Sequence, residues 1–348
     1  MARPDLAVMG AGVFGLCTAL AAVQHGARVQ LIDPAGPGAG ASGGVVGALM
    51  PMSPARWDGM HALQLRALVM AGDWWKGVEA ASGLSTGYGA TGRLMPLADA
   101  AAAQATVAGA ARHWGSAGAM VVEPAPPGWA PAGGTGLVLR DTLSARLRPM
   151  AAVQAMVAAV QAKGGEILRG DQPPDGVSAV WATGAAGLAL LRDGRGQPAG
   201  QAVKGQAAVL AFDTGPDAPQ IYADGLHIVP HDNGTVAVGS TSETVFDSPG
   251  ATDELLCAVI ARARAACPIL ADAPVLHRWA GLRPRAATRR PLVGPWPGRP
   301  GHFVANGGFR TGFAMAPLIG SIAAAMALGD ETGAPAGCGT DWLAEGRV

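Results

Sequence analysis

The stretch from Leu6 to Asp33 constrains the fold more than any other part of the chain. Leu6 to Met9 is a short apolar run, followed by Gly10-Ala11-Gly12-Val13-Phe14-Gly15 and an Ala/Leu-rich segment to about Gln24. His25-Gly26 stops that segment, and a second apolar run, Ala27 to Ile32, ends at Asp33. Strand, glycine turn, helix and strand thus succeed one another within about thirty residues, the crossover that two parallel strands require. Gly10 permits the tight turn out of the strand, Gly12 lets the backbone approach a pyrophosphate, and Gly15 lets helix and sheet pack closely. The helix start offers free N–H groups and the positive end of a dipole to phosphates. Asp33 stands where a carboxylate can accept from both ribose hydroxyls and would repel a 2′-phosphate. The pattern predicts an α/β start that binds a dinucleotide. It does not separate NAD from FAD.

Composition removes other classes. Lys plus Arg number 25 and Asp plus Glu 25, so the formal net charge is zero. A protein that lives on phosphate contacts needs a surplus of cations to displace counterions, so nucleic acid is not expected as a partner. Gly 52 and Pro 27 are high for 348 residues, but 49% of residues are hydrophobic and the apolar periodicity persists, which predicts a packed core. Cys17, Cys257, Cys267 and Cys338 are scattered, with no C-x-x-C pair and no zinc spacing. They read as free thiols of a reducing compartment, and no metal is expected. Met1 to Asp5 is too short to head a signal peptide, and the apolar run Phe313 to Leu328 falls under the roughly 20 residues that span a bilayer. The expected location is cytoplasmic, without a membrane span.

Further along, helices are predicted at about 60–82, 98–115, 146–163, 252–266 and 312–328, with short strands at 93–96 and 177–182. Between about 200 and 245 the texture changes to the short strands 206–212, 226–229 and 235–238. Pro230-His231-Asp232-Asn233-Gly234 makes the last two a hairpin, hence an antiparallel module set into an α/β chain. There is no P-loop and no H-E-x-x-H.

Three later motifs decide the cofactor: Ala41-Ser42-Gly43-Gly44-Val45-Val46-Gly47-Ala48-Leu49-Met50-Pro51, Trp279-Ala280-Gly281-Leu282-Arg283-Pro284, and Gly307-Gly308-Phe309-Arg310-Thr311-Gly312-Phe313-Ala314-Met315-Ala316-Pro317. Together with the N-terminal fingerprint, Val203-Lys204-Gly205 and the hairpin Ile228 to Thr241, they make the chain resemble the glycine oxidase and D-amino acid oxidase family of FAD-dependent oxidoreductases, nearest the glycine-oxidase branch. The resemblance implies a Rossmann-type FAD domain (1–82, 145–200, 275–348) and a second, mainly antiparallel β-sheet domain for substrate (83–144, 201–274), both discontinuous in sequence. It implies non-covalent FAD, contacted at Gly10, Gly12, Val13, Phe14, Gly15, Asp33, Pro34, Ala41, Ser42, Val46, Gly47, Ala48, Gly184, Gly308, Phe309, Arg310, Thr311, Gly312, Phe313 and Ala314.

The activity implied is oxidative deamination of a small amino acid or secondary amine such as glycine, sarcosine or a D-amino acid. Hydride passes from the α-carbon to the flavin, water hydrolyses the imine, and O2 accepts the electrons to give H2O2. Arg283 would hold the substrate carboxylate, since a guanidinium fork pairs with it bidentately, and Arg310 would add a second cation. No side chain is singled out as a catalytic base. The resemblance is compatible with a homo-oligomer.

Departures from the family pattern fall on the substrate side. His227 stands where the family carries Tyr, and Ser242 where a larger apolar residue is usual; both would line the substrate pocket. The segment 167–177 is short where the family places extra strands near the adenosine. Two other readings stay open: a dehydrogenase that passes electrons to a quinone or a carrier protein, and a tRNA-modifying amine oxidase, disfavoured by the neutral charge.

Overall fold

The computed structural model describes residues 3–345. In chain order the first part contains β1 (Leu6–Met9), α1 (Val13–Gln24), β2 (Val29–Ile32), β3 (Ala48–Leu49), α2 (Gly59–Ser82), β4 (Arg93–Pro96), α3 (Gln104–His113), β5 (Met120–Pro124), β6 (Leu137–Asp141) and β7 (Ala145–Arg146). The middle holds α4 (Pro149–Ala162), β8 (Glu166–Leu168), β9 (Ser178–Trp181), α5 (Gly184–Leu190), β10 (Gly200–Ala211), β11 (Gln220–Ala223), β12 (Leu226–Pro230) and β13 (Thr235–Gly239). It closes with α6 (Glu254–Ala266), β14 (Val275–Ala286), β15 (Leu292–Pro295), β16 (His302–Asn306), α7 (Gly312–Ala327) and α8 (Asp341–Glu345).

Two sheets carry the fold. The first has the order β15-β16-β9-β1-β2-β8, parallel except for β15 against β16. Leu6 pairs with Val29 on one side and with Ser178 on the other. All four residues of β1 are buried, the continuous apolar run expected of a strand covered on both faces. Helix α1 is buried from Val13 to Val23, an all-round apolar helix that packs against α4 and α7. Helix α2 is tied at its start by Asp58, whose Oδ1 accepts from Met60 N–H at 2.8 Å and His61 N–H at 3.0 Å, and it stops at Gly83.

The second sheet has eight strands in the order β14-β10-β13-β12-β11-β4-β6-β5, antiparallel except for β11 beside β4. The hairpin of β12 and β13 forms as the turn chemistry predicts, with His227 opposite Gly239. The sequence reading stops short on β10, which starts at Gly200 and pairs with β14 along its whole length. β14 lies in this sheet although its residues fall within a segment expected to belong with the cofactor domain. Alternating side chains of β10 to β13 bury Leu210, Ile221, Ile228, Val236 and Val238 against α6. The architecture is α/β, with a Rossmann-type layer and a second, mainly antiparallel sheet, each assembled from separated stretches of chain. Among the described residues no helix is long and apolar enough to cross a membrane.

Candidate active site

A cavity of about 1210 Å³ is walled by both sheets, from Met9 and Ile32 on the first to Ala207, His227 and Trp279 on the second. Ordinary small-molecule pockets hold about 300–1000 Å³, so this volume accommodates a dinucleotide with a small substrate beside it. Gly10, Gly12, Val13, Phe14, Asp33, Pro34, Ala41, Ser42, Val46, Ala48, Gly184 and every residue from Gly308 to Ala314 line it. Gly15 and Gly47 lie outside the lining. Each packs edge-on against a backbone carbonyl, Gly15 on that of Gly10 and Gly47 on that of Leu147, so that a Cβ would overlap the oxygen.

The end nearest β1 suits a pyrophosphate. Gly10 has φ +102°, a backbone shape that favours glycine. Helix α1 starts at Gly12 with no side-chain cap; only Val13 N–H is taken, by Ser42 Oγ at 2.9 Å. Helix α7 likewise starts after Thr311 without a side-chain cap. Two helix N-termini therefore offer unsatisfied N–H groups and positive dipole ends to one cavity, an arrangement made for anionic groups. Asn306 ties the start of α5 to the loop that leads into α7: its Nδ2 donates to Gly184 O at 2.9 Å while its Oδ1 accepts from Gly307 N–H at 2.8 Å. The donor set and the room both fit FAD.

Asp33 is busier than its position in the sequence implies. Oδ2 accepts from Ala11 N–H, and Oδ1 from Ala35 and Gly36 N–H, each at 2.8 Å. A carboxylate has about four lone-pair sites, so one remains for a ribose hydroxyl where the sequence pattern implies two. Asp33 pins the glycine loop as well as facing the cavity. The short segment between β8 and β9 places Asp171 and Gln172 on the cavity wall, across the ground where extra strands would otherwise stand.

At the other end Arg283, Arg310 and His227 come together. Arg283 Nη1 donates to Ser240 Oγ at 2.9 Å, and Nη2 donates to Thr241 O at 2.6 Å and Lys204 O at 3.5 Å. Three of five guanidinium donors are used, leaving Nε–H, which has no partner, and one Nη1 hydrogen. The guanidinium also sits 5.3 Å from the Phe309 ring centroid, and that of Arg310 lies 5.5 Å from the same ring. Burial, then Arg310, pull the Arg283 pKa down to about 10, with Glu243 opposing them, so it stays charged at neutral pH.

His227 faces Tyr222 with ring centroids 4.9 Å apart, and its Nδ1 has no partner. Burial, then Arg93, Arg310 and Arg283, hold its pKa down at about 3, so the ring is neutral. Arg93 itself is paired with buried Asp141 at 2.7 Å and touches Met50 Sδ at 2.9 Å. Ser242 is exposed and outside the lining, because the backbone bridge between Lys204 and Glu243 turns it outward. Ser240 lines the wall instead. Met50, Trp279, Ser240 and Asn306 complete the site without having been singled out by sequence; each lies in or directly beside a quoted motif, the only available signal. Among the described residues no group of three metal-ligating side chains occurs, and the cavity lining contains no cysteine.

Comparison with known proteins places these features. A family model described as FAD dependent oxidoreductase matches residues 5–326. Glycine oxidase of Pseudomonas putida is 34% identical over 164 residues, 45% of this chain and 44% of that protein, so the matched stretch spans less than half the length of that relative. Among solved structures, glycine oxidase from Geobacillus kaustophilus superposes with a TM-score of 0.80 at 20% identity, covering 95% of this chain and 96% of that one. Iminodiacetate oxidase from Chelativorans sp. gives a TM-score of 0.80 at 21% identity, with 95% and 97% covered. At these identities the structural matches speak for the fold.

Proposed function

Because the chain belongs to the FAD-dependent oxidoreductase family, we propose that it oxidises a small amine bearing a carboxylate, a glycine-, sarcosine- or D-amino-acid-like compound, with dioxygen as acceptor. The observation that carries this reading is Arg283 at the cavity wall, charged and with one Nη1 hydrogen open. FAD, when bound, supplies the acceptor for the electron pair of the substrate C–H bond and passes it on.

The protein's own part is position and charge. Arg283 takes a carboxylate oxygen on its open Nη1 hydrogen, a charge-assisted hydrogen bond to a guanidinium held by Ser240 and Thr241. An imidazole held at about 3 is too weak a base to take a proton at neutral pH. His227 therefore serves as a neutral hydrogen-bonding wall. Two nearby guanidinium groups repel an ammonium, so the amine enters uncharged and needs no base. Phe309, Trp279 and Met50 exclude water around the reacting carbon. The uncapped start of α7 and Arg310 offer positive charge where negative charge develops. No cysteine reaches the cavity, which supports non-covalent FAD. All four cysteines are unpaired thiols, in keeping with the cytoplasm.

An anaerobic absorbance titration tests the reading. Glycine, sarcosine, N-alkylglycines and D-amino acids are added in turn to the flavin-loaded protein. One of them is expected to bleach the flavin band, and Arg283→Ala to keep the band while abolishing the bleaching. A band that no carboxylate-bearing amine bleaches overturns the substrate class. A peroxide assay on the aerobic reaction then decides the acceptor.

A further inference from the structure

This inference rests on the reading of Arg283 as the carboxylate anchor. Its guanidinium lies over Gly205, where a Cβ would come within 2.8 Å of Cζ. Beyond β13 the chain crosses β10 as a short bridge. Lys204 and Glu243 exchange backbone hydrogen bonds at 2.9 Å, Gln206 N–H donates to Thr241 Oγ1 at 2.8 Å, and Thr241 N–H donates to Gln206 O at 3.2 Å. That crossing sets Ser240 Oγ and Thr241 O against the guanidinium.

Behind the bridge lies a polar network that the mechanism above does not use. Lys204 is 2% exposed and Gln206 fully buried. Lys204 Nζ lies 3.2 Å from Asp253 Oδ2 and 3.6 Å from Glu243 Oε2. Gln206 Nε2 donates to Glu243 Oε1 at 3.1 Å and to Asp253 Oδ1 at 2.8 Å, while its Oε1 accepts from Asp253 N–H at 2.9 Å. Thr241 Oγ1 donates to Glu243 Oε1, and Asp253 accepts Leu255 N–H at the start of α6. None of these five residues lines the cavity. Desolvating a lysine is expensive unless it is paired and hydrogen-bonded, and a network built on buried Lys204 and Gln206, though it opens to solvent at Asp253, favours one geometry. This one converges on the two groups that grip Arg283.

We propose that Lys204, Gln206 and Glu243 are positioning residues for the carboxylate anchor, holding residues 240–241 so that Arg283 presents its open Nη1 hydrogen in a single orientation. Lys204 is the keystone. Without it Glu243 and Asp253 face each other uncompensated, and Glu243 leaves the Thr241 hydroxyl.

The test uses the flavin-loaded enzyme. Acetate, a carboxylate without an amine, is titrated by its perturbation of the flavin absorbance, and KM and kcat are measured for a substrate the native enzyme turns over. Lys204→Met is expected to raise the acetate Kd and KM about tenfold, with the larger part of the loss in KM and the flavin retained, since small misplacements of a binding group have effects of this order or larger. Adding Glu243→Gln to it restores charge balance and is expected to recover about threefold, a coupling typical of residues in one network. Where Lys204→Met does not fold, the isosteric Thr241→Val is expected to weaken acetate in the same direction. Native binding of acetate that the variants keep unchanged, even with a lowered Tm, overturns this inference alone. A native protein that does not bind acetate overturns the anchor reading and this inference with it.

Discussion

At Arg283 a cation's hydrogen-bonding geometry is divided between holding itself in place and holding a ligand. Three of its donors go to Ser240, Thr241 and Lys204, so the open Nη1 hydrogen defines the direction from which a carboxylate can approach. Arg283→Lys preserves charge but not the planar guanidinium that bonds Ser240 and Thr241 while keeping a hydrogen for the ligand. It is expected to lower kcat/KM about 100-fold, or about 2.7 kcal/mol, with flavin content unchanged. His227 allows a second expectation. With its pKa near 3, it does not titrate between pH 5 and 8, so the kcat/KM profile should lack a His227 break near 6.5; a break that disappears in His227→Asn would refute this. Arg283 and His227 were legible as cavity residues because motifs carry them. Ser240 and the buried Lys204 were not, because their part is set by how residues 240–243 cross β10, a tertiary event without local periodicity. Ser242 misleads for the same reason, since one residue along that crossing reverses the side-chain direction.

Elements were legible in proportion to their length and apolar pattern. Helices α1, α2 and α7 were expected within a residue or two, for their apolar patterns are long, glycines stand beside them, and Asp58 caps α2. The helix expected at 98–115 is shorter: a 3-10 turn at Ala101–Ala103 precedes α3, in a stretch of alanines with no cap to set its start. β14 shows no alternation and contains Pro284, which a strand on the sheet edge tolerates, and three-residue β8 carries too little pattern to be read. The strand–helix crossing at the cofactor loop gives the prediction at this scale. Gly15→Ala would push a methyl into the Gly10 carbonyl, moving the loop and the α1 N-terminus together. It is expected to weaken FAD binding more than tenfold and to cost about 2 kcal/mol of stability, as measured by flavin release on dilution and by denaturant melting of the apoprotein.

For the molecule as a whole, two histidines bury neutral rings beside arginines. His231 is held down at about 4 by burial, then Arg146 and Arg148, with His227 lower still. Above pH 6.5 neither ring is charged in either state, and neither contributes. As pH falls below 6.5 the unfolded chain takes up protons that the folded one refuses, so stability declines towards the folded pKa values. The Tm is expected to drop by several degrees between pH 7 and 5, and His231→Asn to flatten that slope in a thermal scan across pH.

The interleaving of the two sheets also governs how the chain comes off the ribosome. β1 and β9 are made early, yet β16, which closes the sheet beside β9, and α7, which covers α1, follow only after the whole antiparallel sheet has been synthesised. Until then the nascent polypeptide carries an unpaired edge at β9 and a bare apolar helix. It has to be sheltered by chaperones or delayed in collapse while translation finishes. Raising the supply of a chaperone that holds apolar nascent segments is therefore expected to raise the yield of correctly paired protein.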